Sequence, residues 1–184
     1  MSNLRTKSLR SLLLASLFVG GAAFANPMVG GAPIYESKNI VDNAVHSKVH
    51  TTLVAAVKAA GLAPTLQGAG PFTVFAPVNA AFERLPAGTV DALLKPENKG
   101  ALTGILTYHV VAGRYTEADL RREAKMHDGV ATLTTVQGEK LEVRPMGNKL
   151  EVIDAKGDKA EITTGDVLQS NGVIQVINRV LMPN

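Results

Sequence analysis

Apolar positions along this chain keep a helical period in the first half and an alternating one in the second. From Ile40 to Ala60 the pattern is helical, with Val49, Leu53, Ala56, Val57 and Ala60 recurring on one face. Thr51 or Thr52 is the candidate N-cap, and Gly61 ends the run. The apolar stretch "FTVFAP" (Phe72 to Pro77) reads as a buried strand stopped by proline. Asn79 then suits the N-cap of a short helix over "AAFERL". "AGTVDALLK" and "PENKGALTGILTYH" are two more helical patterns, the second with Pro96 at its start, where proline is tolerated. The end of that pattern overlaps a strand-forming run, "LTYHVV" (Leu106 to Val111). Read as a strand, it turns Tyr108 and Val110 one way, and His109 and Val111 the other.

One last helix, "EADLRREAK", follows Gly113, and the period then changes to two. "VATLTTV", "KLEVRPM", "KLEVID", "KAEITT" and "GVIQVINRVLM" are alternating or β-branched runs. "QGE", "GN", "KGDK" and "SNG" separate them with turn-forming residues. Helices first and a meander of strands afterwards predict an α+β domain, with N-terminal helices packed on a mainly antiparallel sheet.

The N-terminus has a different character. Arg5, Lys7 and Arg10 precede the apolar run "SLLLASLFVGGAAF", and "AFA" (Ala23 to Ala25) presents small residues for cleavage. That order predicts a secretory signal over residues 1–25. "NPMVGGAPIYESK" (residues 26–38) is rich in Gly and Pro without a period and reads as a flexible lead-in. The domain proper is expected over residues 39–184. Periplasmic or extracellular location follows, with membrane association only through an uncleaved signal.

Charge then loses its apparent meaning. The chain's formal net charge is +3, and the three basic residues of the signal account for all of it. A neutral remainder has no excess charge to neutralise phosphates, so nucleic acid is not an expected partner.

Candidate chemistry is sparse. There is no cysteine, which excludes thiol catalysis, zinc–thiolate sites and iron–sulfur clusters. Beyond the signal only Ser37, Ser47 and Ser170 carry a serine hydroxyl, none in the G-x-S-x-G context. His127 and Asp128 are adjacent but have no nucleophile to activate. His46 and His50, four apart, would share a helix face. No third ligand is evident, and surface histidines are the expectation. No enzyme, metal or cofactor is expected. His109 is expected to be a packed histidine with a ring nitrogen bonded to backbone.

Three blocks carry a resemblance. "GPFTVFAPVNAAFERLPAGTVDALL", "LTGILTYHVVAGRYT" and "SNGVIQVINRVLMP" resemble, in order, the first, second and closing blocks of fasciclin-type (FAS1) domains. The resemblance spans roughly Asn39 to Pro183, and a single such domain behind a signal is similar to small secreted bacterial fasciclin proteins. It implies a wedge-shaped fasciclin-like fold and a non-enzymatic binding module for cell adhesion or cell-surface and matrix interaction, acting as a monomer. The partner would be a cell-surface or matrix protein or a glycan. Phe75, Pro77, Asn79, Phe82, Asn171 and Gly172 belong to the structural motif. Tyr108 and His109 match the family's proposed partner-contacting pair. Val78 departs from the family's usual Thr, and Gln175 and Asn178 depart from its usual His and Asp. Some relatives carry carotenoids. The alternative function is therefore carriage of a small apolar ligand, with Met126, Met146 and Met182 lining a groove.

Overall fold

Gly30 and Gly31, both at positive φ (61° and 76°), turn the chain into a small hairpin of β1 (Met28–Val29) and β2 (Ala32–Pro33). The computed structural model describes residues 27–184, so the expected secretory segment 1–25 lies outside the described residues. The hairpin corrects the expectation of a flexible lead-in. Val29 and Ile34 enter the core, and Asn43 fixes the segment by bonding both the N–H and the carbonyl of Tyr35.

The helical pattern from Ile40 to Ala60 divides into α1 (Ile40–Ala44) and α2 (Thr51–Ala60). Asn39 caps α1, its side chain accepting the Asp42 N–H at 2.9 Å. Then come α3 (Ala63–Leu66), β3 (Phe72–Pro77), α4 (Asn79–Phe82) and α5 (Thr89–Leu93). A 3-10 turn at Pro96–Asn98 leads into α6 (Lys99–Tyr108), which passes directly to β4 (Val110–Ala112). A capping box of Thr116 and Asp119 opens α7 (Glu117–Met126). The meander is β5 (Ala131–Thr134), β6 (Lys140–Met146), β7 (Lys149–Ile153), β8 (Lys159–Gln169) and β9 (Gly172–Ile177). β8 runs past the expected Thr164 through irregular register, and β9 stops at Ile177 rather than continuing to Met182.

The fold is α+β, with one seven-stranded sheet in the order β4-β3-β9-β8-β7-β6-β5. All pairings are antiparallel except β3 with β9. The helical half of the chain thus supplies β3 as an interior strand, between β4 and β9. The two ends of the sheet meet, because Val111 bridges Thr135 and the Val136 N–H reaches the Val110 carbonyl at 2.7 Å. Closure protects edges that would otherwise invite pairing with other chains.

Alternation along β3 divides the interior in two. Val74 and Ala76 face α2 and α6 in one core, with Ile174 and Val176 of β9 beside them. Phe75 faces the opposite way into a core of Leu120, Leu141, Val143, Leu150 and Ile177 under α7. Burying each such side chain stabilises the fold by about 1.5–3 kcal/mol. Gly172 lets β9 lie against β3. A Cβ there would sit 2.1 Å from the Phe72 carbonyl oxygen.

Candidate functional site

The helix α6 ends at Tyr108, His109 is its C-cap, and β4 begins at Val110. The strand reading of Leu106 to Val111 is therefore corrected. The two rings do not alternate across a strand; they leave the final turn of a helix, and both are buried, at 0% and 2% exposure. Thr107, Tyr108 and the valines suit a strand by propensity, but Leu102, Ile105 and Leu106 pack inward at helical spacing and hold the helix until His109.

Each ring ties distant segments together. The Tyr108 hydroxyl donates to the Lys140 carbonyl at 2.9 Å and accepts the Ala155 N–H at 2.8 Å, joining β6 to the turn after β7. Burial pushes its pKa up to about 12, with Asp154 and Glu139 adding to the rise and the Ala155 N–H opposing it. His109 Nδ1 lies 2.8 Å from the Ile105 carbonyl, and Nε2 lies 2.9 Å from the Leu181 N–H. The neutral tautomer that donates from Nδ1 and accepts at Nε2 satisfies both contacts. Burial pulls its pKa down to about 4, against smaller upward effects of the Ile105 carbonyl and Asp154. Asp154 continues the clamp, accepting the Met182 N–H at 2.9 Å. His109 and Asp154 thus pin two successive residues of the C-terminal segment, Leu181 and Met182.

Outside this clamp lies an open groove of about 450 Å³, bordered by Glu139, Lys140, Glu142, Asp154, Ala155 and Asn184. Two of these, Lys140 and Ala155, are the residues that the Tyr108 hydroxyl joins.

The motif residues fall into two groups. Phe75 and Pro77 are buried, and Phe82 is half-buried against the core beside α6. Asn171 bonds three segments: Oδ1 accepts the Ile40 N–H at 3.0 Å, and Nδ2 donates to the Leu66 and Gly68 carbonyls. Asn79 is not the N-cap of the helix that follows it. Val78 holds that place, and the Asn79 side chain instead accepts the Thr52 N–H at 3.1 Å and the Thr51 hydroxyl at 3.2 Å. It caps α2, a role that neither Thr51 nor Thr52 fills. Its Nδ2 donates to the Lys48 carbonyl.

The remaining candidates do not converge. His46 and His50 lie in the break between α1 and α2, His46 exposed and His50 buried, so they share no helix face. His50 is not the expected surface histidine, and its Nδ1 lies 2.8 Å from Ser47 Oγ. No cluster of three metal-ligating side chains is found among the described residues. The exposed His127 ring turns to Glu123, with Nδ1 2.9 Å from that residue's carbonyl. Nothing supports the alternative of a methionine-lined groove: Met126 and Met146 are exposed at 62% and 58%, and none of Met126, Met146 and Met182 lines the internal apolar cavity.

Sequence reasoning missed the buried network around Gln175. Its Oε1 accepts the Asp166 N–H, and its Nε2 donates to Asp166 Oδ1 and to the Tyr115 carbonyl. Asn178 likewise accepts the Glu161 N–H at 2.9 Å. A polar residue in an otherwise apolar strand was the available signal.

The sequence pattern of the Fasciclin domain matches residues 48–183. Protein sll1483 of Synechocystis is 44% identical over 85% of this chain and 79% of its own length. Immunogenic protein MPB70 of Mycobacterium bovis is 41% identical over 72% of this chain and 63% of its own. Transforming growth factor-beta-induced protein ig-h3 of Sus scrofa is 37% identical over 71% of this chain and 17% of its own. Among solved structures, a FAS1 domain pair from the insect cell adhesion molecule fasciclin I shares the fold. Its TM-score is 0.70 at 19% identity, over 79% of this chain and 51% of that one.

Proposed function

Since the chain belongs to the Fasciclin domain family, we propose that it is an exported, non-enzymatic binding module. Its partner is a cell-surface or matrix protein or glycan, which docks at the groove bordered by Lys140, Glu142 and Ala155. The observation that carries this reading is the Tyr108 hydroxyl, buried yet bonded to two segments of that groove. Tyr108 and His109 act from within, fixing the shape of a surface that other residues present. A groove held by internal hydrogen bonds loses little freedom on binding, which limits the ordering cost of a contact. Many copies on one surface add their weak contacts. Export follows from the basic and apolar order of residues 1–25. Among the described residues no helix is long and apolar enough to cross a membrane.

The test is adhesion of the wild-type protein to cells and matrix fractions, compared with Lys140→Glu and Glu142→Lys. Both side chains border the groove and neither lies in a core. Loss of adhesion in these variants with unchanged melting supports the reading. Full adhesion in both overturns it.

A further inference from the structure

Beyond β9 the chain is held in a different way. The Asn178 N–H still donates to a main-chain carbonyl, that of Glu161, at 3.2 Å. From Arg179 to Asn184 no main-chain to main-chain hydrogen bond is found among the described residues. Side chains take over. The Leu181 N–H donates to His109 Nε2 at 2.9 Å, and the Met182 N–H to Asp154 Oδ2 at 2.9 Å. The Asn184 N–H donates to Glu139 Oε2 at 3.1 Å, and Pro183 between them has no N–H to give. The end of α6, the turn after β7 and the turn before β6 supply these acceptors. All three can take a proton.

Apolar anchoring fades along the same residues. Leu181 is a core side chain at 1% exposure, Met182 and Pro183 are half-buried, and Asn184 is exposed. Glu139, Asp154 and Asn184 also border the open groove of about 450 Å³. One side of that groove is therefore a segment fixed by a single core leucine and three ionisable contacts.

Proton uptake weakens each contact. His109 Nδ1 already donates to the Ile105 carbonyl, so a second proton must sit on Nε2, head to head with the Leu181 N–H. A carboxylate that takes a proton gives up the charge that strengthens its N–H bond. The neighbours of the clamp are mixed in sign. Asp154 and, across the helical core, His50 lie about His109. Lys156 and Asp158 flank Asp154 in its turn, with Arg179 paired to Asp158. Lys140 and Glu142 border the groove beside Glu139. Burial holds the His109 pKa at about 4 in the closed form, and exposure to water on opening returns it toward 6.5. The closed form is thus fully favoured above pH 6.5 and loses ground as pH falls through 4.

We propose that residues 181–184 form an acid-released strap, which closes one side of the groove while its three acceptors are unprotonated and opens on proton uptake, from Asn184 inward to Leu181, with the sheet still folded. The device belongs to the free protein and stands whether or not a partner docks at the groove.

Amide hydrogen exchange and heteronuclear NOE on the full chain between pH 7 and pH 4.5 test it. Order at Asn184 should fall first, then at Met182. The protection factor of Leu181 should fall roughly 60-fold over this range. Low urea separates this opening from global unfolding. Leu181 exchange should be insensitive to urea, whereas Val143 and Val152 in the sheet should follow the global transition. His109→Gln keeps an acceptor that does not titrate and should flatten the acid response of Leu181. Glu139→Gln should do the same for Asn184 while leaving that of Leu181 in place. Should His109→Gln fail to fold, Glu139→Gln, altered at a half-buried side chain, decides alone. Leu181 exchange that rises with urea in parallel with Val143 overturns the proposal. So does an acid response of the strap that is unchanged in the variants that fold.

Discussion

Asn79 Oδ1 accepts the backbone N–H of Thr52 at 3.1 Å, so the residue that opens α4 caps the helix α2, 27 positions earlier in the chain. The first turn of a helix leaves N–H groups without intrahelical partners. Within α2 no side chain of the helix's own supplies the missing oxygen. Asn79 therefore links the packing of two helices to the end of strand β3.

Asn79→Ala should lose about 0.5–2 kcal/mol in chemical denaturation, the range for a helix cap. Asn79→Asp keeps the capping oxygen but loses the Nδ2 bond to Lys48, so it should fall between alanine and wild type. An alanine variant as stable as wild type would show that the contact carries no weight.

Gly172→Ala should be among the most damaging single changes. The added carbon would meet the Phe72 carbonyl at 2.1 Å, and that oxygen belongs to a strand held on both sides by β4 and β9. A loss of about 1–3 kcal/mol is expected from overpacking, read as a lower melting temperature. Unchanged melting would mean that β3 and β9 separate more easily than their register implies.

Stability should fall on acidification. His109 is neutral in the folded protein with a pKa of about 4, whereas an unfolded histidine titrates near 6.5. Between those values the unfolded chain binds the extra proton, so stability is fully present above pH 6.5 and is lost as pH falls through 4. The size is roughly 3 kcal/mol. His50, also lowered chiefly by burial, adds in the same direction. Urea midpoints from pH 7 to pH 4 measure this slope, and His109→Gln should flatten it. An equal slope in wild type and variant would remove His109 as its source.

Most of the sheet was legible in the sequence because period and turns agreed. Lys140 to Met146 alternates between two turns and forms β6 over those same residues. The α6–β4 junction was not, since Thr107, Tyr108 and the valines suit either structure and packing decided between them. Gly- and Pro-rich residues 26–38 read as loose because the signal there is local, whereas Val29 and Ile34 are ordered by a core built from distant residues. Asn171 and Ile40 are 131 positions apart, and no local pattern announces such a bond. The site itself was half legible. The sequence singled out Tyr108 and His109, but which atoms they hold depends on β6, the turn after β7 and the C-terminal segment arriving together.

The Tyr108 hydroxyl should be silent to base over a range where free tyrosine ionises, because burial holds its pKa near 12. Tyr108→Phe leaves the Ala155 N–H and the Lys140 carbonyl without this partner and should cost about 1–3 kcal/mol. Phenolate absorbance during titration, compared between wild type and Tyr108→Phe, isolates this residue. Ionisation near pH 10 in the folded protein would place the hydroxyl in water.

In the proposed function, Tyr108 and His109 shape the binding surface from inside rather than touching the partner. Thermal melting and adhesion on the same preparations of wild type, Tyr108→Phe, His109→Gln and Lys140→Glu test it most directly. The two buried variants should lose melting temperature and adhesion in step, while Lys140→Glu should lose adhesion at wild-type melting. Abolished adhesion at undiminished melting in the His109 variant, with Lys140→Glu fully adhesive, would contradict it.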